Sequence, residues 1–282
     1  MFGPVHPLTS DDLPGCLALA RDREWLPEER KWRLLFDIGT VYGARDQAGD
    51  LAGVTTLTRH GTGLATVGTM LVAARYGRRG LGRNLMTHAL AEAGTATVLL
   101  HATPSGRPLY EKLGFVPAGT THTYLGGFVP AGRDHRSPAS AQSRPAGPGD
   151  LSAIRRLDAQ ANGTDRAHLV RRLPGFTEQL RVVERDGVIT GYGGAYRCLR
   201  YVCIGPVIAE STVDAKTLIA DLAGAVAGPV RVDLDDRHPQ LLDWAAACGL
   251  AWHDSALAMV LNGRPLPGDR GRCFAPLMRA LG

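Results

Sequence analysis

Two short stretches of this chain hold residues whose types and spacing could do chemistry. The first, Val72-Ala73-Ala74-Arg75-Tyr76-Gly77-Arg78-Arg79-Gly80-Leu81-Gly82-Arg83, falls between an expected strand and an expected helix. A glycine-rich strand-to-helix turn leaves backbone N–H groups unpaired at the positive end of the helix dipole, which suits a bound phosphate. Gly80 and Gly82 would let the phosphate reach the main chain with no Cβ in the way. Arg78, Arg79 and Arg83 would add charge beside it. Two other phosphate loops are excluded by spacing: there is no GxxxxGK[ST], and no GxGxxG followed by an acidic residue about 20 positions on. The second stretch, Ala102-Thr103-Pro104-Ser105-Gly106-Arg107-Pro108-Leu109-Tyr110-Glu111-Lys112-Leu113-Gly114-Phe115, offers a phenol at Tyr110 and follows directly on His101.

In order, and about 30 residues apart, Gly77–Gly82 and Leu109–Phe115 resemble the paired motifs of the GNAT superfamily of N-acetyltransferases, an R/Q-x-x-G-x-G/A turn and a downstream LYEKLGF-like segment. The first motif position, usually Arg or Gln, is here Gly77, with arginine displaced to Arg78; the later glycines are kept. The resemblance implies acetyl-CoA as co-substrate and a primary amine of a small molecule or peptide as acceptor. It further implies that the main chain of Met70, Leu71 and Val72 pairs with the pantetheine arm as an added strand would. Arg78, Arg79, Gly80, Leu81, Gly82 and Arg83 would hold the pyrophosphate, and Tyr110 would stand near the thioester sulfur as general acid. The acceptor ammonium must lose a proton, so a base is expected; His101 and His60, both at strand ends, are candidates, and each also reads as a structurally satisfied histidine. Glu24, Trp25 and Asp37 lie in the region that shapes the acceptor pocket in this superfamily. Transfer of a longer acyl group, or acyl-CoA binding without turnover, are the alternatives.

The elements that must position these residues follow an α/β, α+β layered plan. A capping-box-like start at Thr9 begins a helix through about Arg23. A second helix fits Glu28 to Asp37, with strands at about 41–46, 51–59 and 64–73. A helix from Leu81 to Ala93, a strand at Val98–His101, a short helix near Pro108–Leu113 and strands to about Leu125 complete the first half. Phe128 to Gly149, rich in Pro, Ser, Ala and Gly, reads as a linker and contains His135. It divides the chain into 1–127 and 150–282. The halves repeat one plan, with Leu13 matching Leu151 and Gly53 matching Gly191. With Ile204-Gly205-Pro206 and Val232-Asp233-Leu234 before Ala247-Cys248-Gly249-Leu250, the second half resembles the degenerate second GNAT domain of tandem members, each domain a mixed, mostly antiparallel sheet flanked by helices. Near residue 218, where a counterpart of Gly80 would fall, stands Lys216-Thr217-Leu218-Ile219. The counterpart of Tyr110, aligning Gly114 with Gly249, is Ala245. The second domain would then buttress the acceptor pocket or mediate assembly, and a homodimer is compatible with it.

Composition sets the outer bounds. Hydrophobic residues make up 44% of 282 and charged residues 21%, as in a soluble globular protein. No apolar run is long enough to span a membrane. The net charge of +5 comes from scattered residues, of which only Lys31, Lys112 and Lys216 are lysine, so a nucleic-acid face is not indicated. Five cysteines without a CxxC pair argue against disulfides and zinc and fit a reducing cytoplasm. No residue spacing supports a metal, and no G-x-S-x-G supports a serine hydrolase.

Overall fold

The computed structural model describes residues 2–130 and 142–282; His135 and residues 131–141 of the expected linker lie outside the described residues. In the first half the strands are β1 His6–Pro7, β2 Thr40–Arg45, β3 Leu51–His60, β4 Leu64–Val72, β5 Thr97–Ala102 and β6 Phe115–Gly126. Its helices are α1 Leu13–Asp22, α2 Glu29–Ile38, α3 Leu81–Ala93 and α4 Arg107–Lys112. The expected elements are present within a residue or two, except that the stretch to Leu125 is one long strand. The second half contributes β7 Ser143–Pro145, β8 Gln179–Arg185, β9 Val188–Arg197, β10 Val202–Ala209, β11 Val230–Asp235, β12 Ala251–Leu261 and β13 Cys273–Ala275. Its helices are α5 Leu151–Asn162, α6 Ala167–Val170, α7 Leu173–Phe176, α8 Thr212–Gly224 and α9 Pro239–Ala247.

The repeat is visible in the packing. Gly53 on β3 and Gly191 on β9 each sit where a Cβ would press on a leucine of the covering helix, Leu85 of α3 and Leu218 of α8. Part of the expected linker is ordered. Ser143–Pro145 pairs antiparallel with β8, and Arg144 forks to Asp150 (2.7 Å) and Glu184 (2.6 Å). Composition hides this strand because it is three residues at a sheet edge, where Pro145 costs no ladder bond.

The two halves share one sheet, in the order β1-β2-β3-β4-β5-β12-β6-β11-β10-β9-β8-β7, with β13 paired to β10. At its centre each half lends a long strand to the other. β12 lies antiparallel between β5 (Leu257 opposite Ala102) and β6 (Ala256 opposite Thr121). β6 in turn pairs with β11, Asp235 opposite Thr121 and Val230 opposite Gly126. A polar cluster lies along the seam: Thr123 of β6 donates to Asp233 of β11 at 2.5 Å, Asp233 also binds Arg231 at 2.9 Å, and Arg279 reaches the half-exposed Asp254 at 2.6 Å. Helices α3 and α4 pack on one face of the first half, where Met86, Ala89, Ala93 and Tyr110 are buried against Leu57, Val67 and Leu100. Helices α1 and α2 pack on the opposite face.

A chain ending at residue 127 lacks β12 and leaves β5 without its second neighbour and β6 with none. It is expected to show no cooperative thermal transition by circular dichroism. A sharp melt at the temperature of the full chain would disprove the dependence on strand exchange.

Candidate active site

Strands β4 and β5 run parallel only from Leu64 opposite Thr97 to Thr66 opposite Leu99, and then part. A bulge in β4 assists, since Thr56 pairs with Gly68 and Val54 with Leu71, and the extra residue Thr69 has φ +48°. Beyond it, Met70, Leu71 and Val72 keep β3 on one side and have no strand on the other among the described residues. An open backbone edge of this kind accepts an extended ligand as it would a strand.

The turn that follows leads into α3. Gly80 caps the helix at φ +83°, a left-handed conformation that the missing Cβ makes cheap. Arg78 also stands at φ +61°, which for a side-chain-bearing residue stores on the order of 1–3 kcal/mol. No side chain caps the α3 N-terminus, so its first N–H groups face solvent. Arg78, Arg79 and Arg83 are exposed and have no carboxylate partner among the described residues. Arg75, by contrast, is spent on Asp46 (2.8 Å) and Asp50 (3.3 Å). Gly82 also has a packing role. A Cβ there would stand 3.3 Å from Leu109, so this glycine lets α3 lie close to α4 and brings the two motifs into contact.

Three residues that sequence reasoning passed over hold the turn in place. The Tyr76 hydroxyl donates to Asp46 at 2.8 Å, tying the turn to the β2–β3 hairpin, and the Ala74 amide donates to Asp22 of α1 at 2.6 Å. Nothing in the local sequence marks these partners, because 30 and 52 positions separate them.

Tyr110 lies on the α3–α4 face, edge-on to Phe115 with ring centroids 6.1 Å apart. Burial pushes its pKa up to about 12. His101 points to the other face. Its Nδ1 lies 2.9 Å from the Arg279 carbonyl, to which it can only donate, so Nε2 accepts from the Thr121 hydroxyl at 3.0 Å. Burial first, then the Arg279 charge, lowers its pKa to about 4. His60 is buried further off, bonded to Thr66 at 3.1 Å and stacked on His168. Trp25 is 43% exposed beside Glu24, and Asp37 faces Arg172 at 3.9 Å. None of these three joins the Tyr110 cluster.

The second half has the same parting of strands, closed by its own chain. β10 pairs with β11 as far as Ile204 opposite Val232. From there β13 takes the edge, with Ala275 opposite Val207 and Cys273 opposite Ile208. The α8 N-terminus is capped by Ser211, which accepts from the Asp214 amide at 3.1 Å. Asp214, in that first turn, is buried and paired with Arg185 at 2.5 Å. The counterpart of Gly80 is therefore Ser211, seven positions before the point expected, because the β10–α8 connection is far shorter than the β4–α3 turn. Ala245 and Gly249 occupy the places of Tyr110 and Gly114, whose helices end in the same way, at φ +84° and +89°.

Models of the acetyltransferase (GNAT) domain match residues 35–127 and again residues 154–275. The chain belongs to the GNAT superfamily. It is an acyltransferase with two such domains in tandem, and acetyltransferases of this superfamily use acyl-CoA donors and amine acceptors. It is similar to an uncharacterized N-acetyltransferase of Bacillus subtilis, YitH, at 29% identity over 98% of this chain and 97% of that one. Among solved structures it shares its fold with a putative acetyltransferase from Pyrococcus horikoshii (TM-score 0.82, 18% identity, 100% and 96% of the two chains). A tandem GNAT protein from the clavulanic acid biosynthesis pathway has the same fold (TM-score 0.67, 17% identity, 94% and 99%).

Two outcomes follow for the acyltransferase. Gly80→Ala forces a Cβ into left-handed backbone and should cost roughly 1–2 kcal/mol in urea unfolding; an unchanged midpoint would show that the turn relaxes freely. For His101 the folded pKa of about 4 lies below the unfolded 6.5. Its contribution is thus complete above pH 6.5 and lost as pH falls towards 4, by at most about 3 kcal/mol at 1.36 per unit. His101→Gln should therefore flatten the acid limb of the stability–pH curve, leaving the slope due to His60, His168 and His238, which shift the same way. An identical limb in both proteins would contradict a neutral buried His101.

Proposed function

We propose that the first half transfers an acetyl group from acetyl-CoA to a primary amine of a small molecule or peptide, and that the second half binds no donor. One observation carries this reading: the same parting of strands is open beside a helix with no side-chain cap and three exposed arginines that have no carboxylate partner among the described residues in the first half, and filled by β13 and Asp214 in the second. The main chain of Met70, Leu71 and Val72 would take the pantetheine arm. The amides and guanidinium groups from Arg78 to Arg83 would take the pyrophosphate, where the helix dipole and charge-assisted hydrogen bonds add to one another.

The reaction is then direct. The neutral amine attacks the thioester carbonyl, a β4 amide stabilises the oxyanion, and the carbon–sulfur bond breaks as the Tyr110 hydroxyl hands its proton to the departing thiolate, while the nitrogen's surplus proton passes to water and the phenolate regains one from solvent. The phenol is protonated through neutral pH, and because burial makes it a weaker acid its proton transfer depends on direct contact with the departing thiolate. His101 enters as a positioning residue and not as the base, since Arg279 and Thr121 take both of its ring nitrogens. It fixes the segment after Met278 against β5.

Tyr110→Phe is expected to lower kcat by 10- to 1,000-fold with the KM for acetyl-CoA within about twofold, measured as thiol release over a panel of amines. A fully active phenylalanine variant would remove Tyr110 from the chemistry. Release from a longer acyl-CoA alone would move the reading to that donor. Calorimetric titration should give one coenzyme A per chain, and two sites would refute the closure of the second half.

A further inference from the structure

Where the central strands pass beneath the segment from Pro267 to Gly282, a cavity of about 30 Å³ remains between the halves, edged by His101, Asn162, Arg166, Arg237, Arg270 and one carboxylate, Asp235. That is room for roughly two waters or one small planar head group. Its cations are unevenly matched. Arg166 grips Asp158 through two hydrogen bonds at 2.9 and 2.7 Å, and Arg237 meets Asp235 at 2.7 Å. Arg270 has no carboxylate within ion-pair reach among the described residues. Its Nη1 donates to the neutral Asn162 Oδ1 at 2.6 Å, and its Nε is shut off from solvent with no acceptor. Enclosing a guanidinium without an anion is costly, and Arg in proteins does not escape by losing its proton. The same desolvation, with Arg166 and Arg237 repelling it, lowers the Arg270 pKa.

We propose that this cavity binds one small carboxylate through Arg270. The fork of a guanidinium fits a planar carboxylate, the single unpaired positive charge balances a monoanion, and the space excludes anything bulkier than the head group. The carboxylate is either a free small acid or part of the acceptor. The second source rests on the transferase reading above and is suggested by the wall that His101 supplies. That residue sits on β5, which borders the opening beside β4, and on the face opposite Tyr110.

Melting temperatures of the full chain against sodium formate test the site without reference to catalysis. A saturable rise in the parent, absent in Arg270→Gln and weakened at least tenfold in apparent affinity in Arg270→Lys, is expected. Equal, non-saturating curves for parent and lysine variant would overturn the proposal even if the glutamine variant does not fold. Thiol release with an amino acid and with its decarboxylated amine then separates the sources. An acceptor carboxylate predicts that Arg270→Gln raises KM for the amino acid tenfold or more and leaves the amine unchanged; a free acid predicts no change for either, with the formate effect intact. If the parent releases no thiol at all, the transferase reading fails while the formate titration still decides the site.

Discussion

Two parallel strands that part company leave backbone N–H and C=O groups with no ladder to join, and such groups must find a partner when water is excluded. Everything distinctive about this chain follows from how that demand is met at two places. Beside β4 the edge is left free, and the turn after it is braced from below by Asp22 and Asp46. Beside β10 the chain returns on itself and supplies β13. The contrast extends to the adjoining helices. The α3 N-terminus keeps its positive field, whereas α8 neutralises the same field with Ser211 and Asp214. One half leaves this edge without a strand partner among the described residues, and the other has turned it into structure.

The proposed division into a working and a supporting half does not make the molecule two separable bodies. Because β6 and β12 are exchanged, the wall of the working half opposite β4 is completed by a strand from the supporting half. The seam polar groups Thr123, Asp233 and Arg279 couple the two further, since removing one member of a buried charged set leaves the others uncompensated. The supporting half reaches the vicinity of the site through Arg279, whose carbonyl sets the tautomer of His101.

How much of this could be read beforehand depended on whether the cause was local. Helix α3 was legible to the residue, because Leu81, Leu85, Met86, Ala89 and Ala93 repeat at helical spacing and Gly80 marks the start. The loss of a Tyr110 counterpart was legible from the shared Gly-ended helix. The capping of α8 was present as Ser211 followed three residues later by Asp214, but the assumed constant offset pointed past it. The roles of Gly82, Tyr76 and His101 were not legible, since each is fixed by a neighbour distant in sequence: Leu109, Asp46 and Arg279. Strand exchange was hidden for a deeper reason. The pattern of β12 suits the sheet of either half, and nothing in a strand's own residues says which of two similar sheets it completes.

The exchange also sets the order in which the molecule can be finished on the ribosome. Strand β5, which must bond Ala102 to Leu257, is synthesised long before its partner exists. The half that carries Tyr110 therefore emerges first with an apolar strand edge exposed, the kind of surface that invites pairing with other chains. It becomes whole only when β12, Ala251–Leu261, has been made. For this protein the half that carries Tyr110 is made early and completed late, so its yield depends on how well that bare edge is kept from strangers in the interval.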